Sequence, residues 1–312
     1  MVNARALIHG EQETQERAMT NSPVSSIGFI GLGAMGAPMC HNLARKSPVP
    51  VMAFDLDGKR MDRAVSHGAS RAKDLAELAT ADLIFVCLPG EHETLEVCLA
   101  PNGLLEHMTL NKTIVDCTTT TVSSNRLIAT SLNKKGANFA DAPVARGVPN
   151  AVNGTLSITV GASEETFSLI EKWLSLMGSD ISHCGPVGSG TVMKLMNNMV
   201  LFQNVSAIAE AMAIATRAGI NRSDVFEYLS RGSADSFALR RHGKYMTTGE
   251  YPTGLFPTTY SHKDLGYALD LASELGVDAA GAALVQDRFA EAIRRGFGDL
   301  YSPVLYRLFE NQ

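Results

Sequence analysis

Residues 27–39 of the chain read IGFIGLGAMGAPM, an apolar run that ends in Gly31-x-Gly33-x-x-Gly36 and is followed by a helical pattern. This order predicts a strand, a tight turn and a helix. The first glycine lets the chain turn sharply, the second lets a pyrophosphate approach the backbone, and the third lets helix and strand pack closely. The anion would bind to unpaired N–H groups at the positive end of the helix dipole. The predicted dinucleotide-binding turn comprises Gly31, Leu32, Gly33, Ala34, Met35 and Gly36. The alternative is a structural turn without a ligand.

A second short strand is predicted at residues 51–54, and it ends at Asp55. An acidic residue about 20 positions after the glycine turn suits hydrogen bonds to the adenosine ribose hydroxyls and would repel a 2′-phosphate. NAD is therefore favoured over NADP, although Lys59 and Arg60 lie close enough to keep NADP possible. The alternative is that Asp55 only caps the next helix.

Residues 82–89 form a near-continuous apolar run, which is typical of a parallel strand buried on both faces. The next strand is predicted at residues 113–117. Ligands bind beyond the carboxyl ends of such strands, so Leu88 and Pro89 lie where a cofactor would pass. The threonines of residues 118–121 could reach the nicotinamide ribose, or one of them could cap the helix that follows.

Further strands are predicted in the rest of the first domain. Residues 138–144 predict a strand, and residues 145–151 predict a loop. Residues 156–160 alternate with period two, which indicates a half-buried strand. Residues 182–188 close this domain, so a dinucleotide-binding domain is expected over residues 25–187.

The composition changes after that point, and helices are predicted throughout residues 188–312. Residues 190–218 contain no proline and few charges, which predicts one long helix that is apolar nearly all round. Such a helix is buried inside a protein or between subunits. Further helices are predicted at residues 262–275 and 279–295, each followed by a glycine, and Asn221 begins an N-terminal cap pattern.

The bulk composition narrows the function classes. The chain has 312 residues, of which 45% are hydrophobic and 19% charged, and its net charge is −5. Without a basic stripe, nucleic acid is not an expected partner. The apolar runs are short or interrupted, so no membrane span is expected. The histidines show no metal-ligand spacing, so no metal site is predicted. The cysteines have no paired spacing and fit a reducing cytoplasm: Cys40, Cys87, Cys98, Cys117 and Cys184.

The N-terminal segment is polar and lacks periodicity. It has no apolar core of the kind that a signal peptide requires. Residues 1–24 are therefore expected to form a disordered tail, and Met19 is a possible alternative start.

The long helix carries one feature that its packing does not require. Lys194 lies near its start among apolar residues, and Asn197 and Asn198 follow at i+3 and i+4 on the same face. A buried lysine has a lowered pKa, which suits proton exchange with a substrate hydroxyl, and an amide at i+4 can orient the same oxygen. The alternative is a lysine that extends to solvent at the helix end.

The sequence resembles the β-hydroxyacid dehydrogenase family, which includes 3-hydroxyisobutyrate dehydrogenase, tartronate semialdehyde (2-hydroxy-3-oxopropionate) reductase and, more distantly, 6-phosphogluconate dehydrogenase. The resemblance extends from about residue 26 to the C-terminus. Its motifs, in family order, are Phe29-Ile30-Gly31-Leu32-Gly33-Ala34-Met35-Gly36-Ala37-Pro38-Met39, Asp141-Ala142-Pro143-Val144 with Gly154-Thr155-Leu156, Gly188-x-Gly190-x-x-x-Lys194-x-x-Asn197-Asn198, and His262-Lys263-Asp264-Leu265.

This resemblance implies an α/β Rossmann domain with a doubly wound, mostly parallel sheet, followed by an all-α domain organised on a long interdomain helix. It implies assembly into a homodimer or homotetramer. It also implies a metal-free reaction: reversible hydride transfer between NAD or NADP and the carbinol carbon of a small anionic 3-hydroxy acid or its semialdehyde.

The same resemblance assigns residue roles. Lys194 matches the catalytic lysine of the family. Asn198, with Asn197 beside it, matches the position that holds the substrate. The positions that match cofactor contacts are Leu88, Pro89, Thr119 and Lys263.

One departure from the family pattern concerns the loop that holds the substrate carboxylate. Family members usually have Ser-Gly-Gly after Asp-Ala-Pro-Val, whereas this chain has Ala145, Arg146 and Gly147. An arginine can bind a carboxylate, sulfonate or phosphate in bidentate fashion. Similar loops occur in members that resemble sulfolactaldehyde reductases, so Arg146 is expected to bind a substrate anion. The alternative is a surface arginine paired with a nearby acid.

Two other functions would predict sequence features that differ from those of this chain. A non-catalytic dinucleotide-binding sensor would be expected to lack the lysine or to carry basic linkers, and this chain does neither. An imine reductase, which is an offshoot of the same fold, would generally have the lysine replaced.

Overall fold

The computed structural model describes residues 24–310. Residues 1–23 of the expected tail, including the alternative start Met19, lie outside the described residues, and Val24 is buried. The chain divides into two compact units, with the division between Thr191 and Val192. The expected domain boundary at residues 187/188 stays a prediction.

Within residues 24–191, the first unit forms a nine-stranded sheet. Its strands are β1 (Ile27–Ile30), β2 (Val51–Phe54), β3 (Ser70–Arg71), β4 (Leu83–Val86), β5 (Thr113–Asp116), β6 (Asn138–Asp141), β7 (Val144–Ala145), β8 (Leu156–Gly161) and β9 (Gly178–Gly185). Their order is β3-β2-β1-β4-β5-β6-β8-β7, with β9 paired to β8. The first six strands pair in parallel, and the antiparallel pairs are β6 with β8 and β7 with β8. The doubly wound, mostly parallel sheet is therefore confirmed.

Helices connect these strands. They are α1 (Gly36–Lys46), α2 (Gly58–Ser66), α3 (Leu75–Leu78), α4 (Glu91–Leu99), α5 (Leu104–His107), α6 (Val122–Asn133), α7 (Val148–Asn153) and α8 (Glu164–Leu174). The strand order reverses at β1, because β2 lies on one side of it and β4 on the other. The crevice at the carboxyl ends of β1 and β4 is thus the point where such sheets bind ligands.

The central strands are buried on both faces, as their apolar runs predict. Successive side chains of a strand point to opposite faces. Phe29 and Phe85 accordingly belong to one apolar core, while Ile30 and Ile84 belong to another. The two cores stabilise the sheet between two layers of helices and hold its carboxyl edge in place.

Two local predictions need correction. The first helix begins at Gly36 and not near Gly33, because the residues between them form the turn itself. The expected loop at residues 145–151 contains the end of β7 and most of α7, a helix that has Pro149 in its first turn. Proline is tolerated there because its missing N–H has no partner within the helix.

The second unit is helical, as predicted. Its elements are α9 (Ser189–Arg217), which begins just before the division, α10 (Arg222–Arg231), α11 (Lys244–Thr248), α12 (Thr258–Glu274), α13 (Ala280–Ala292) and α14 (Arg307–Glu310), with π-type turns at Leu239–Gly243 and Ile293–Phe297 and a 3-10 segment at Ser302–Tyr306. Asn221 occupies the N-cap position of α10, but its side chain makes no capping hydrogen bond.

Helix α9 is, among residues 24–310, the one helix whose length and apolar composition would allow it to cross a membrane. Core helices of water-soluble proteins share both properties, so this observation is weak evidence. The expectation of no membrane partner stays a prediction.

The beginning of α9 is held by a buried carboxylate at the end of β6. Asp141 Oδ1 accepts a hydrogen bond from the Gly188 N–H at 2.6 Å, and Oδ2 accepts one from the Thr191 N–H at 2.7 Å. Gly161 packs so closely that an added Cβ would lie 2.3 Å from Asp141 Oδ1. A side chain 47 to 50 residues earlier in the chain thus supplies the helix cap.

We expect Asp141→Ala to lower the free energy of unfolding by about 1–3 kcal/mol, because two buried N–H groups lose their acceptor. The matched control is Asp180→Ala, which removes a half-exposed partner of Arg146 and should cost less than about 1 kcal/mol. Urea denaturation of both variants measures the difference. Equal losses would contradict the capping role.

Candidate active site

The three glycines of the turn between β1 and α1 do not have the same surroundings. Gly31 has φ +90°, and an added Cβ would lie 2.2 Å from the carbonyl oxygen of Cys87. A Cβ on Gly36 would lie 1.9 Å from the Gly31 carbonyl oxygen. Around Gly33, in contrast, an added Cβ would meet no atom within 4 Å. Packing therefore requires the outer two glycines, while the middle one faces open space of the kind that a pyrophosphate would fill.

The start of α1 suits an anion. The N-cap residue Met35 makes no side-chain capping bond, and the first turn carries no acidic residue. Beside it lies a cavity of about 330 Å³, which is lined by Leu32, Gly33, Ala34, Ala37, His41, Arg60 and Arg63. Backbone N–H groups at the helix start, the helix dipole and two guanidinium groups together fit the phosphates of a dinucleotide.

Asp55 supports the turn from the end of β2. Its Oδ2 accepts a hydrogen bond from the Leu32 N–H at 2.6 Å, and its Oδ1 accepts one from the Asp57 N–H at 2.8 Å. The cap of α2 is Asp57, whose carboxylate accepts from the N–H groups of Lys59 and Arg60. The alternative in which Asp55 caps that helix is therefore wrong. Its predicted contact with the adenosine ribose stays a prediction.

The other predicted cofactor residues of the first unit lie at the same sheet edge. Leu88 and Pro89 follow β4, and Thr119 follows β5. The Leu88 N–H donates a hydrogen bond to Thr118 Oγ1 at 3.0 Å, which ties the two loops together. Thr121 is the N-cap of α6. The threonine run thus both caps a helix and links adjacent loops.

Asp116 is a buried carboxylate at this edge that sequence reasoning missed. It lies in register with Asp141 on the neighbouring strand. Its Oδ1 accepts a hydrogen bond from the Thr118 N–H, while its Oδ2 is buried without a hydrogen-bond partner. Burial raises the pKa of Asp116 to about 7, and the charge of Asp141 adds to this increase.

The predicted substrate loop, Ala145 to Gly147, follows β7. Arg146 has φ +84°, an unusual backbone conformation for a residue other than glycine. Its Nη2 lies 2.9 Å from Asp180 Oδ2, and its Nη1 donates to the Thr155 carbonyl oxygen at 3.2 Å. This geometry matches the alternative named in the sequence analysis, in which Arg146 is a surface arginine paired with a nearby acid. A role in binding a substrate anion stays a prediction.

In the second unit, Asn198 and Lys263 contact the Asp264 carboxylate, whose charge also acts on the Lys194 amine. Lys194 is 9% exposed, so the alternative of a lysine that extends to solvent is not what the structure shows. Burial lowers the pKa of the Lys194 amine; Asp264 opposes this shift, and Lys263 adds to it. Asp264 was not assigned a role from the sequence, although it stands in the quoted motif directly after Lys263. Its position in that motif was the available signal.

Comparison with known proteins agrees with both units. The family described as the NAD binding domain of 6-phosphogluconate dehydrogenase matches residues 26–185, and the family described as NAD-binding of NADP-dependent 3-hydroxyisobutyrate dehydrogenase matches residues 188–308. The 2-(hydroxymethyl)glutarate dehydrogenase of Eubacterium barkeri is 36% identical, over 87% of this chain and 90% of that protein. The chain belongs to the β-hydroxyacid dehydrogenase family. It is therefore an oxidoreductase with a nicotinamide dinucleotide cofactor.

Two further similarities fall within the same family. The 2-hydroxy-3-oxopropionate reductase of Escherichia coli (strain K12) is 32% identical, over 91% of this chain and 97% of that protein. A solved structure of Mycobacterium tuberculosis 3-hydroxyisobutyrate dehydrogenase with L-serine has a TM-score of 0.83 at 28% identity and covers 92% of this chain and 99% of that chain. This β-hydroxyacid dehydrogenase thus shares both fold and family with enzymes named for short hydroxy acids.

Among residues 24–310, no group of three or more His, Cys, Asp or Glu side chains is placed to hold a metal ion. The side chains that this β-hydroxyacid dehydrogenase offers to chemistry are amine, amide and carboxylate groups.

We expect Gly33→Ala and Gly36→Ala to separate binding from folding. A methyl group on Gly33 occupies the space for the pyrophosphate, so the affinity for NAD(H) should fall while the melting temperature stays near wild type. A methyl group on Gly36 collides with the Gly31 carbonyl oxygen, so the protein should lose stability. Fluorescence titration with NADH and thermal denaturation measure the two effects. Tight NADH binding by the Gly33 variant would contradict the assigned role of the turn.

We also expect Asp116→Asn to flatten the dependence of stability on pH. The folded protein keeps a proton on Asp116 that the unfolded chain, with its ordinary pKa of 3.8, releases earlier. The free energy of unfolding should therefore fall as the pH rises between these two pKa values. Urea denaturation at about pH 5 and about pH 7.5 should show a smaller change in the variant than in wild type. The exposed Asp270→Asn should leave the wild-type change intact, and an unchanged profile in Asp116→Asn would refute the assignment.

Proposed function

We propose that this enzyme catalyses reversible NAD(P)-dependent hydride transfer at carbon 3 of a short 3-hydroxy acid or its semialdehyde, with Lys194 as the general acid and base. The observation that carries the proposal is the burial of Lys194, with the buried Asn198 amide one turn further along the same face of α9. An amine held in apolar surroundings is costly unless it is paired or has a chemical task.

The Lys194 amine can exchange the proton of the substrate hydroxyl. Burial lowers the pKa of Lys194, which brings the neutral and protonated forms closer to balance at working pH. In oxidation the neutral amine accepts the hydroxyl proton, and in reduction the ammonium donates a proton to the carbonyl oxygen. A nicotinamide dinucleotide would supply or accept the hydride when bound. The glycine turn and the loops after β4 and β5 would hold that cofactor.

The names of the relatives suggest a substrate class. Numbered as substituted propionates, 2-(hydroxymethyl)glutarate, 3-hydroxyisobutyrate, L-serine and 2-hydroxy-3-oxopropionate share a primary alcohol or aldehyde at carbon 3 and a carboxylate on carbon 2. They differ in the other substituent of carbon 2. We therefore propose a 2-substituted 3-hydroxypropionate as substrate, as in a 3-hydroxyisobutyrate dehydrogenase or a 2-hydroxy-3-oxopropionate reductase.

The sulfolactaldehyde reductase alternative rests on a free guanidinium at Arg146. Because Arg146 is paired with Asp180, the structure gives that alternative no further support. The preference for NAD, the homo-oligomeric state and a cytoplasmic location also stay predictions.

A substrate panel tests the proposal. The enzyme is assayed with NAD and with NADP against 3-hydroxyisobutyrate, 2-(hydroxymethyl)glutarate, glycerate, serine, threonate, 4-hydroxybutyrate and sulfolactate, and reduced nicotinamide is followed by absorbance. Turnover of at least one 2-substituted 3-hydroxypropionate is expected, in preference to 4-hydroxybutyrate. Dinucleotide binding without turnover of any member would favour the non-catalytic sensor.

We expect Lys194→Ala to lower kcat by about 10²- to 10⁴-fold, because the hydroxyl proton loses its acceptor. The affinity for NADH should change little. Lys244→Ala, at an exposed lysine of the same unit, is the control and should keep wild-type kcat. Steady-state kinetics and NADH titration provide the two measurements. Near-normal turnover by the Lys194 variant would assign the proton transfer to another group.

A further inference from the structure

Asp264 is the most deeply buried acid of the second unit that has contacts to predicted site residues. It lies on α12 with 1% of its surface exposed. Its Oδ2 accepts a hydrogen bond from Asn198 Nδ2 at 2.8 Å, and its Oδ1 lies 2.8 Å from Lys263 Nζ. These two partners are the predicted substrate-holding amide and the predicted cofactor-contacting amine. One carboxylate therefore contacts both.

The contact with Asn198 has a fixed direction. An ionised carboxylate can only accept hydrogen bonds, so the amide must turn its NH₂ group toward Asp264. The other end of the amide is held too, because Asn198 Oδ1 accepts a hydrogen bond from Asn197 Nδ2 at 3.1 Å. The Asn198 amide thus has one orientation, and its second Nδ2 hydrogen is left to be donated to a substrate oxygen.

The contact with Lys263 is an ion pair on one helix. Lys263 is partly buried, and its ammonium also lies over the rings of Tyr267 and Tyr260, with Nζ 4.7 Å and 5.9 Å from their centroids. A charged hydrogen bond of this kind is stronger than a neutral one. It restrains a long, flexible side chain that would otherwise sample many rotamers.

We propose that Asp264 is a positioning residue of this enzyme, which orients the Asn198 amide toward the substrate and restrains Lys263 for the cofactor. This inference rests on the proposed function, because it gives those two residues the roles stated there. Asp264 itself need not touch the reacting atoms.

The charge of Asp264 adds a second consequence. The charged groups that act on the Lys194 amine are Asp264, which favours its protonated form, and Lys263, which disfavours it. Removal of the carboxylate leaves the repulsion alone, so the pKa of Lys194 should fall further. In the oxidative direction, kcat/KM rises with pH as the amine loses its proton. The rising limb should therefore move to lower pH.

The test uses the full-length enzyme and three variants. Asp264→Asn removes the charge at nearly constant volume, Asp264→Glu keeps the charge but displaces it, and Asp270→Asn is the matched control on an exposed position of α12. Circular dichroism and thermal denaturation establish that each variant is folded. NADH dissociation constants, kcat, KM and the pH profile of kcat/KM are then measured.

For Asp264→Asn we expect the KM of the panel substrate to rise by about tenfold and the NADH dissociation constant to rise several-fold. The rising limb of kcat/KM should shift to lower pH, because the Lys194 amine loses the neighbouring negative charge. For Asp264→Glu we expect the limb to return toward wild type while KM stays raised, because charge is restored and geometry is not. Asp270→Asn should match wild type throughout.

Two failures are distinguishable. If wild type turns over a panel substrate and the folded Asp264 variants keep its KM, pH profile and NADH affinity, the positioning role is overturned and the proposed function stands. If wild type binds NADH but turns over nothing, the proposed function fails. In that event the NADH affinities of Asp264→Asn and Asp270→Asn still decide whether Asp264 restrains Lys263, and equal affinities overturn that part as well. If Asp264→Asn does not fold, Asp264→Glu decides by its KM.

Discussion

The structure depends on how it satisfies carboxylates that are taken out of water. A buried charge is expensive unless hydrogen bonds or opposite charges surround it. Asp141 is satisfied by two N–H groups at the start of α9, and Asp264 by an amide and an ammonium. The first carboxylate fixes the beginning of the helix that carries Lys194, and the second sets the surroundings of Lys194 itself.

This arrangement explains residues whose role was open in the sequence. Gly161 lies where any side chain would collide with Asp141, and Gly190 lies where a Cβ would come within 2.4 Å of the Thr159 carbonyl oxygen. Gly161 and Gly190 are therefore packing requirements around the start of α9. The glycines inside the dinucleotide turn divide differently, since only Gly33 faces open space. The chain therefore contains glycines for two separate reasons: some leave space for a ligand, and others leave space for a neighbouring residue.

Much of the fold could be predicted from local pattern. The strand at residues 51–54 and the helical second unit agree with expectation, because apolar periodicity and glycines at element ends are signals carried by neighbouring residues. The ends of the elements were less predictable. Helix α1 begins at Gly36 because the residues before it form the turn. Helix α12 begins at Thr258, four residues before the expected start. The cap at Asp57 was not predicted, and Asp55 was named only as an alternative cap, because both acids follow the same strand. Local sequence does not reveal which of the two turns back to the glycine loop.

By itself, the sequence determined the order of strands and helices, the glycine turn, and the presence of an amine with two amides on one face of a long apolar helix. These features depend on residues within a few positions of one another. Only the tertiary structure decided that Arg146 pairs with Asp180, that Asp141 caps α9, and that Asp264 holds Asn198 across 66 residues. The physical reason is that a hydrogen bond between distant segments depends on where the packed cores place their backbones, and no local periodicity carries that information.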